Sequence, residues 1–450
     1  MRKNELLTLR VESFGAEGEG VAYDNGMAVF IPRALPGELV ETRIVKAEKR
    51  FAFGRAERVI EASSERRTPP CPYAVTCGGC SLQHMSYESQ LEFKRGQVRD
   101  CFRHIAGLEV DVPPVLGMEE PYHYRNKISL PVGGKAGQPL IGYYAPRSHR
   151  ITDIQSCLIA KEPADTLVRV CREWMIRYGI EPYHEENHSG LIRHIMMRVS
   201  RQGDVMAVLV IRKKELPHSE ELLKLLREAL PQLVSLCVSV NPVPGNVILG
   251  RDYRVLWGEE RLKDTLCGSE FLLSPLSFFQ INAEQTEKLY NTALKFARLS
   301  GDETVADLYC GAGTISLLLA RHARFVTGIE IVPDAVRDAK ENAVRNGVSN
   351  VRFYCGEAEK QLPLLAEQGM KADVVVLDPP RKGAEEAVLR TVAAIAPKRV
   401  VYVSCNPATQ ARDAKLLTSL GYQITDCQSV DMFCQTAGIE NVLGFARISE

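Results

Sequence analysis

The C-terminal part of this chain predicts an α/β fold with a doubly wound, mostly parallel sheet, preceded by a small β-barrel and a central α+β segment. Three observations carry that expectation. Apolar strand-like runs alternate with helical pattern over the last third of the chain. Glycines, acids and one cysteine fall at successive strand ends there, where an open α/β sheet has its ligand crevice. The first sixty or so residues instead read as short strands separated by turn signals. The expected divisions are residues 1–62, 63–268 and 269–450. A length of 450 residues, 45% hydrophobic and 25% charged, suits a soluble globular protein of two or three domains. Equal counts of acids and bases, 56 each, provide no global field to draw the chain onto nucleic acid, so local patches must do so.

The barrel strands are expected at Leu6–Val11, Val21–Asp24, Met27–Ile31, Leu39–Ala47 and Arg55–Ile60. Asn25-Gly26 is a strong hairpin signal and Pro36-Gly37 marks another turn. Five short strands in this length suggest a closed barrel of the oligonucleotide-binding kind, a common RNA platform. Arg43, Lys46, Lys49, Arg50, Phe51, Phe53, Arg55 and Arg58 interleave cations with aromatics, as phosphate contact and base stacking require. A solvated barrel face is the alternative.

The central segment opens with Cys71, Cys77 and Cys80, a Cys-x5-Cys-x2-Cys run on a loop rich in glycine and proline. Three thiolates so close together suit a metal or cluster, and a fourth ligand is needed. Zinc competes, but zinc ribbons pair two Cys-x2-Cys knuckles and only one is here, so the spacing favours an iron–sulfur cluster. A disulfide framework is disfavoured by an odd total of 13 cysteines and by an N-terminus without a secretory pattern. A reducing cytoplasm is therefore expected, and no apolar run is long enough to cross a membrane. A helix over Tyr87–His104 follows the cysteine loop and is expected to pack on the C-terminal part. Basic loops Tyr124-Arg125-Asn126-Lys127 and Arg147-Ser148-His149-Arg150 are further candidates for RNA contact, as is Arg193-His194; solvated surface is the plainer reading.

In the C-terminal part, Val305–Tyr309 reads as a strand running into Cys310-Gly311-Ala312-Gly313, with a helix from about Thr314. Glycines there let backbone approach a ligand in front of a helix N-terminus. Strand Phe325–Ile329 ends on Glu330, about where a carboxylate grips a ribose in nucleotide folds. Pro333 opens the next helix and Asn346-Gly347 closes it. Strands Val351–Cys355, Ala372–Leu377 and Val400–Val403 follow, with Asp378-Pro379-Pro380 and Ser404-Cys405-Asn406-Pro407 at the ends of the last two. Cysteine is usually inert core, and Cys310, Cys355, Cys427 and Cys434 are read that way. Cys405 differs because it ends a strand at a crevice and Asn-Pro then turns the chain.

A dinucleotide site would carry glycine three residues past Gly313, where Ser316 stands. Asp-x-Tyr-x-Gly-x-Gly with Asp-Pro-Pro resembles instead the S-adenosylmethionine-dependent methyltransferase fold. Methylation of nitrogen needs no cysteine, whereas carbon 5 of a pyrimidine is a poor nucleophile and must first be activated by thiolate addition at carbon 6. Together with Phe278-Phe279-Gln280-Ile281-Asn282, Asp378 to Gly383, Ser404 to Pro407 and Asp431-Met432-Phe433, the chain resembles the RNA uracil-C5 methyltransferase family, especially its bacterial 23S ribosomal RNA 5-methyluridine branch. The resemblance covers nearly the whole chain. It implies an N-terminal TRAM domain, S-adenosyl-L-methionine as cofactor held by Gln280, Tyr309, Glu330 and Asp378, Cys405 as nucleophile and Glu440 as proton acceptor. It also implies a 4Fe-4S cluster on Cys71, Cys77, Cys80 and Cys157, ribosomal RNA as partner, no membrane, a monomer and a cytoplasmic enzyme. The family pattern Phe-Pro-x-Thr followed by His-x-Glu reads Phe433-Cys434-Gln435-Thr436 and Gly438-Ile439-Glu440 here. The proline and histidine are missing while the glutamate stays. Transfer RNA as substrate, a cytosine-C5 methyltransferase and a non-catalytic RNA-binding protein are the alternatives.

Overall fold

The computed structural model describes residues 1–448. Strands β1 (Leu6–Phe14), β2 (Gly20–Asp24), β3 (Met27–Ile31), β4 (Leu39–Ala47) and β5 (Phe51–Glu61) close a barrel in the order β1-β2-β3-β5-β4. Val11, Val29, Ile31, Val40 and Ile44 fill it. A Cβ on Gly54 would lie 2.3 Å from Thr42 Cγ2, so glycine permits the close approach of β5 to β4. β5 begins four residues earlier than the sequence suggests, at Phe51, because the start of the strand pairs in parallel with β3. The expected cationic stripe is largely self-neutralised. Arg43 and Arg55 both pair with Glu57, Lys46 with Glu48 and Arg58 with Glu41.

Helix α1 (Tyr87–Cys101) starts where Ser86 caps the amide of Ser89, and one wider turn, Phe102–Ala106, extends it. Next come β6 (Lys127–Lys135), β7 (Gln138–Tyr144), β8 (Ile151–Asp153), α2 (Pro163–Arg177), β9 (Ile192–Val199), β10 (Val205–Ile211), α3 (Ser219–Ala229), β11 (Leu233–Val240) and β12 (Tyr253–Gly258). These strands form one seven-stranded sheet, β12-β11-β10-β9-β6-β7-β8. One face packs on α2 and α3 through Trp174, Leu222 and Leu226. The other face, through Met196, Met206, Val208 and Val210, shares a core with the C-terminal part. Strands buried on both faces carry apolar residues without alternation, as Val205–Ile211 does.

The hairpin β13 (Leu262–Leu266) and β14 (Ser269–Leu273) leads into α4 (Ala283–Ala297). Then follow β15 (Thr304–Leu308), α5 (Thr314–Ala320), β16 (Phe325–Glu330), α6 (Pro333–Arg345), β17 (Val351–Cys355), α7 (Ala358–Glu367), β18 (Val374–Leu377), α8 (Glu386–Ile395), β19 (Arg399–Ser404), α9 (Pro407–Ser419), β20 (Tyr422–Val430) and β21 (Glu440–Arg447). The second seven-stranded sheet runs β17-β16-β15-β18-β19-β21-β20, parallel except that β21 is antiparallel to both β19 and β20. One face packs on α4, α5 and α6, the other on α7, α8 and α9. Val98 and Phe102 of α1 and its extension belong to that second core, so the helix after the cysteine loop does pack on the C-terminal sheet. Strand order reverses between β15 and β18, and a doubly wound sheet opens its crevice at that switch. Among the described residues no helix is long and apolar enough to cross a membrane.

Candidate active site

The residues at the switch come from the carboxyl ends of adjacent strands. The amide of Asp378 donates to Leu308 O at 3.3 Å, which sets the Asp-Pro-Pro turn beside Tyr309. Tyr309 holds a left-handed φ of 66°, redirecting the chain into the glycine loop. Gly313, also left-handed at φ 82°, has no room for a side chain: a Cβ there would lie 3.0 Å from Phe353 Cζ. Glu330 ends β16 and its carboxylate accepts from the amides of Gly311, at 3.1 Å, and Val332, at 2.8 Å. It therefore ties the glycine loop to the start of α6. Gln280 lies beside Tyr290, whose hydroxyl meets Thr314 Oγ1 at 3.1 Å and feels the charge of Asp378. Tyr309, Glu330 and Asp378 thus stand at neighbouring strand ends, and Gln280 is linked to them through Tyr290. Asp307, buried beneath it, bonds Ser316 Oγ, and burial pushes both Asp307 and Asp378 up to about 7.

Cys405 and Glu440 face the same crevice. Cys405 follows β19, and Asn406 caps α9 by accepting from the Ala408 amide at 3.1 Å with Pro407 at the first helical position. Burial, helped by Glu440 and Asp378, pushes the Cys405 thiol up to about 11, while Arg381 pulls it back. Glu440, only 4% exposed, is raised well above the carboxylate range by burial and by Asp378, with Arg381 opposing. Its orientation is set by the next residue. Asn441 is fully buried, donating to Gln410 Oε1 at 2.8 Å and accepting from Ser429 Oγ at 2.8 Å, and a strand turns successive side chains to opposite faces.

Two groups at this site were not assigned from sequence. Arg381 directly follows Asp-Pro-Pro and is the cation common to Cys405 and Glu440. Asp413 pins the Pro-Pro loop, accepting from the Ala384 amide at 2.9 Å and from Tyr402 OH at 2.6 Å. Nothing in the local pattern around Asp413 marks it, since its partners come from separate elements.

The loop before Glu440 is held from outside the C-terminal sheet. Asp431 is fully buried and bonds Lys94 Nζ and, at 2.8 Å, Tyr87 OH, both from α1. The amides of Ser81 and Leu82 each donate to Gln435 O at 3.0 Å, and Tyr124 OH donates to Cys434 O at 2.9 Å.

Cys71, Cys77, Cys80 and Cys157 line one small cavity with Tyr73 and Tyr143. The Gly78 amide donates to Tyr144 O at 2.9 Å and Thr152 Oγ1 to Thr76 O at 2.7 Å, which packs the cysteine loop on β7 and β8. The expected central iron–sulfur domain is not supported beyond this convergence. Among the described residues no three His, Cys, Asp or Glu side chains form a group able to hold a metal ion.

Comparison with known proteins agrees with this geometry. Residues 2–56 match the TRAM domain and residues 299–440 match a methyltransferase domain. An uncharacterized RNA methyltransferase of Clostridium tetani is 47% identical, covering 98% of this chain and 96% of the relative. The chain belongs to the RNA methyltransferases that carry a TRAM domain. A second such enzyme, from Halalkalibacterium halodurans, is 48% identical over 98% of this chain and 97% of its own length. Among solved structures, the Pyrococcus abyssi tRNA (uracil-54, C5)-methyltransferase in complex with S-adenosyl-L-homocysteine superposes with a TM-score of 0.79 at 26% identity, covering 98% of this chain and 99% of that one. This RNA methyltransferase therefore keeps the architecture of that enzyme along nearly its whole length.

Proposed function

We propose that this RNA methyltransferase makes 5-methyluridine through a covalent adduct between Cys405 and carbon 6 of a uridine. The observation that carries the reading is that a strand-end cysteine and a buried glutamate share one crevice and one cation, Arg381. The uracil-C5 activity of the Pyrococcus abyssi neighbour supports it. S-adenosylmethionine, held by Gln280, Tyr309, Glu330 and Asp378, would supply an electrophilic methyl group. The target base must leave its stack to reach this recess. Cys405 thiolate adds to carbon 6, and the electron pair displaced onto carbon 5 would take the methyl as the S–CH3 bond of the sulfonium breaks and its electrons stay on sulfur, leaving a neutral thioether. Glu440 then accepts the carbon 5 proton, the C–H electrons restore the carbon 5 to carbon 6 double bond, and the thiolate leaves. Glu440 must be ionised to accept that proton, and Arg381 beside it favours the ionised form against burial and Asp378.

The substrate in this reading is 23S ribosomal RNA. The neighbour's tRNA activity favours transfer RNA as a second reading, and mapping the methyl lost from a deletion strain separates the two. A cytoplasmic monomer divided at 62/63 and 268/269 belongs to the same proposal.

Glu440→Gln should accumulate a protein–RNA species that survives denaturing electrophoresis, because the saturated adduct releases its thiol only after carbon 5 loses its proton. Adding Cys405→Ala should abolish the band. Normal turnover by Glu440→Gln would reassign the base, and normal turnover by Cys405→Ala would end the covalent reading.

The four converging thiols would also be the ligands of a 4Fe-4S cluster, whose role would be structural. Protein purified without oxygen should then contain iron and sulfide, and stoichiometric zinc without iron would refute it.

A further inference from the structure

Three cations cluster beside Gln280 and Ile281. Lys127 on β6 and Arg198 on β9 are register partners on adjacent antiparallel strands, so their side chains stand on one face, and like charges in that position destabilise a sheet. Arg125, whose Nε donates to Lys127 O at 3.1 Å, adds a third charge. None of the three forms an ion pair among the described residues; Asp264, the acid that acts on Arg198, accepts from the amides of Arg201 and Thr265, each at 2.8 Å. Arg198 is only 4% exposed, donates through Nη2 to Ser277 O, and leaves its Nε buried without a partner. Burial, with Arg198 and Arg125 beside it, pushes the Lys127 ammonium down to about 7. A buried charge cluster of one sign is costly unless an anion offsets it.

The segment against which the cluster packs points to the anion. Asn126 donates from Nδ2 to Gln280 O at 3.0 Å and from its amide to Ile281 O at 2.8 Å, so the cations abut the wall of the crevice. Phe279 is buried in the core, while Phe278, which directly follows the Ser277 whose carbonyl accepts from Arg198, is 75% exposed. An uncompensated cationic recess beside an exposed ring is what single-stranded RNA binds, phosphate in the recess and base on the ring. We propose that Arg125, Lys127 and Arg198 hold a backbone phosphate next to the target nucleotide and that Phe278 stacks a neighbouring base. The proposal rests on the RNA methyltransferase reading and names a subsite within it.

The test is RNA affinity against salt for Lys127→Gln, Lys127→Arg and Phe278→Ala, with cofactor affinity measured in parallel. Lys127→Gln should weaken RNA binding and reduce the slope of log affinity on log salt by about 0.7–0.9, one phosphate contact. Lys127→Arg, which keeps the charge, should retain the affinity. Lys127→Gln should not lower the unfolding midpoint, since it removes a repelled charge, whereas a merely structural lysine would lower it. Phe278→Ala, on the surface and unable to disturb the core, should weaken RNA binding about five- to hundredfold. Unchanged RNA affinity in both Lys127→Gln and Phe278→Ala would overturn the proposal. So would a loss confined to cofactor affinity, which would make the anion the cofactor's carboxylate. RNA that wild-type protein leaves unmethylated would refute the parent reading instead.

Discussion

Lys94→Met tests whether α1 positions the loop before Glu440. Lys94 and Asp431 are both fully buried, and Lys94 Nζ also donates to Phe433 O at 3.2 Å. Methionine keeps the stem and removes the ammonium, leaving the Asp431 carboxylate with Tyr87 OH as its remaining side-chain donor. Removing one partner of a buried pair costs about 3–5 kcal/mol, because the surviving charge stays out of water. For a unit of 150–250 residues each kcal/mol moves the midpoint by roughly 2–4 °C, so the variant should unfold about 6–20 °C lower. Circular dichroism with calorimetry reads that shift. Hydrogen exchange at the amides of Ser81 and Leu82, which donate to Gln435 O, should accelerate with it if the loop opens locally. Adding Asp431→Asn removes the stranded charge while leaving an acceptor for Tyr87, and should recover at least half the loss. A midpoint change within about 2 °C for Lys94→Met would refute the reasoning, since that is under 1 kcal/mol. A double variant no better than the single one would refute it too.

Alkylation of Cys405 in the ligand-free protein should quicken about tenfold per pH unit from neutrality upward, because the thiolate is the nucleophile and the thiol sits at about 11. Mass spectrometry of the Cys405 peptide after iodoacetamide reads the rate, and a plateau near pH 8 would contradict the burial argument. Arg381→Gln removes the cation that lowers Cys405 and Glu440, so alkylation at a given pH should slow. Faster alkylation would mean that Arg381 shields the thiol instead of activating it.

What could be read in the sequence was what local pattern controls. The strands that feed Tyr309, Glu330, Asp378 and Cys405 are short apolar runs bounded by turn residues, so both their type and their order toward one crevice follow from spacing. The barrel cations show where pattern fails. Arg43, Arg55 and Arg58 alternate with aromatics as an RNA face would, yet their partners Glu57 and Glu41 sit across the strand pairing or two positions along the same strand, on the same face. Only register reveals that. The Lys127 and Arg198 pair was hidden for the same reason, since seventy-odd residues of chain separate two side chains that share a sheet face. Asp413 and Lys94 are legible only once their helices are docked, because each partner comes from a different element.

The loop that leads to Glu440 departs from the family pattern at two positions, and packing explains how it keeps its course. At 438, a Cβ would lie 3.0 Å from Phe433 Cδ2, so the Phe433 ring occupies the space that a larger residue would need. At 434, the rigidity of proline is replaced by external bonds. Tyr124 OH holds the Cys434 carbonyl, the buried Cys434 thiol lies 3.6 Å from Tyr87 OH, and Gln435 is kept at a left-handed φ of 67° by the Ser81 and Leu82 amides on its carbonyl. A non-glycine residue stays in that conformation only where surrounding contacts impose it. Those contacts come from α1, from the residues directly after Cys80 and from Tyr124, so the geometry of Glu440 depends on segments distant in sequence. Disturbing the cysteine loop should therefore reach Glu440 through Ser81 and Leu82, whose amides hold Gln435 O.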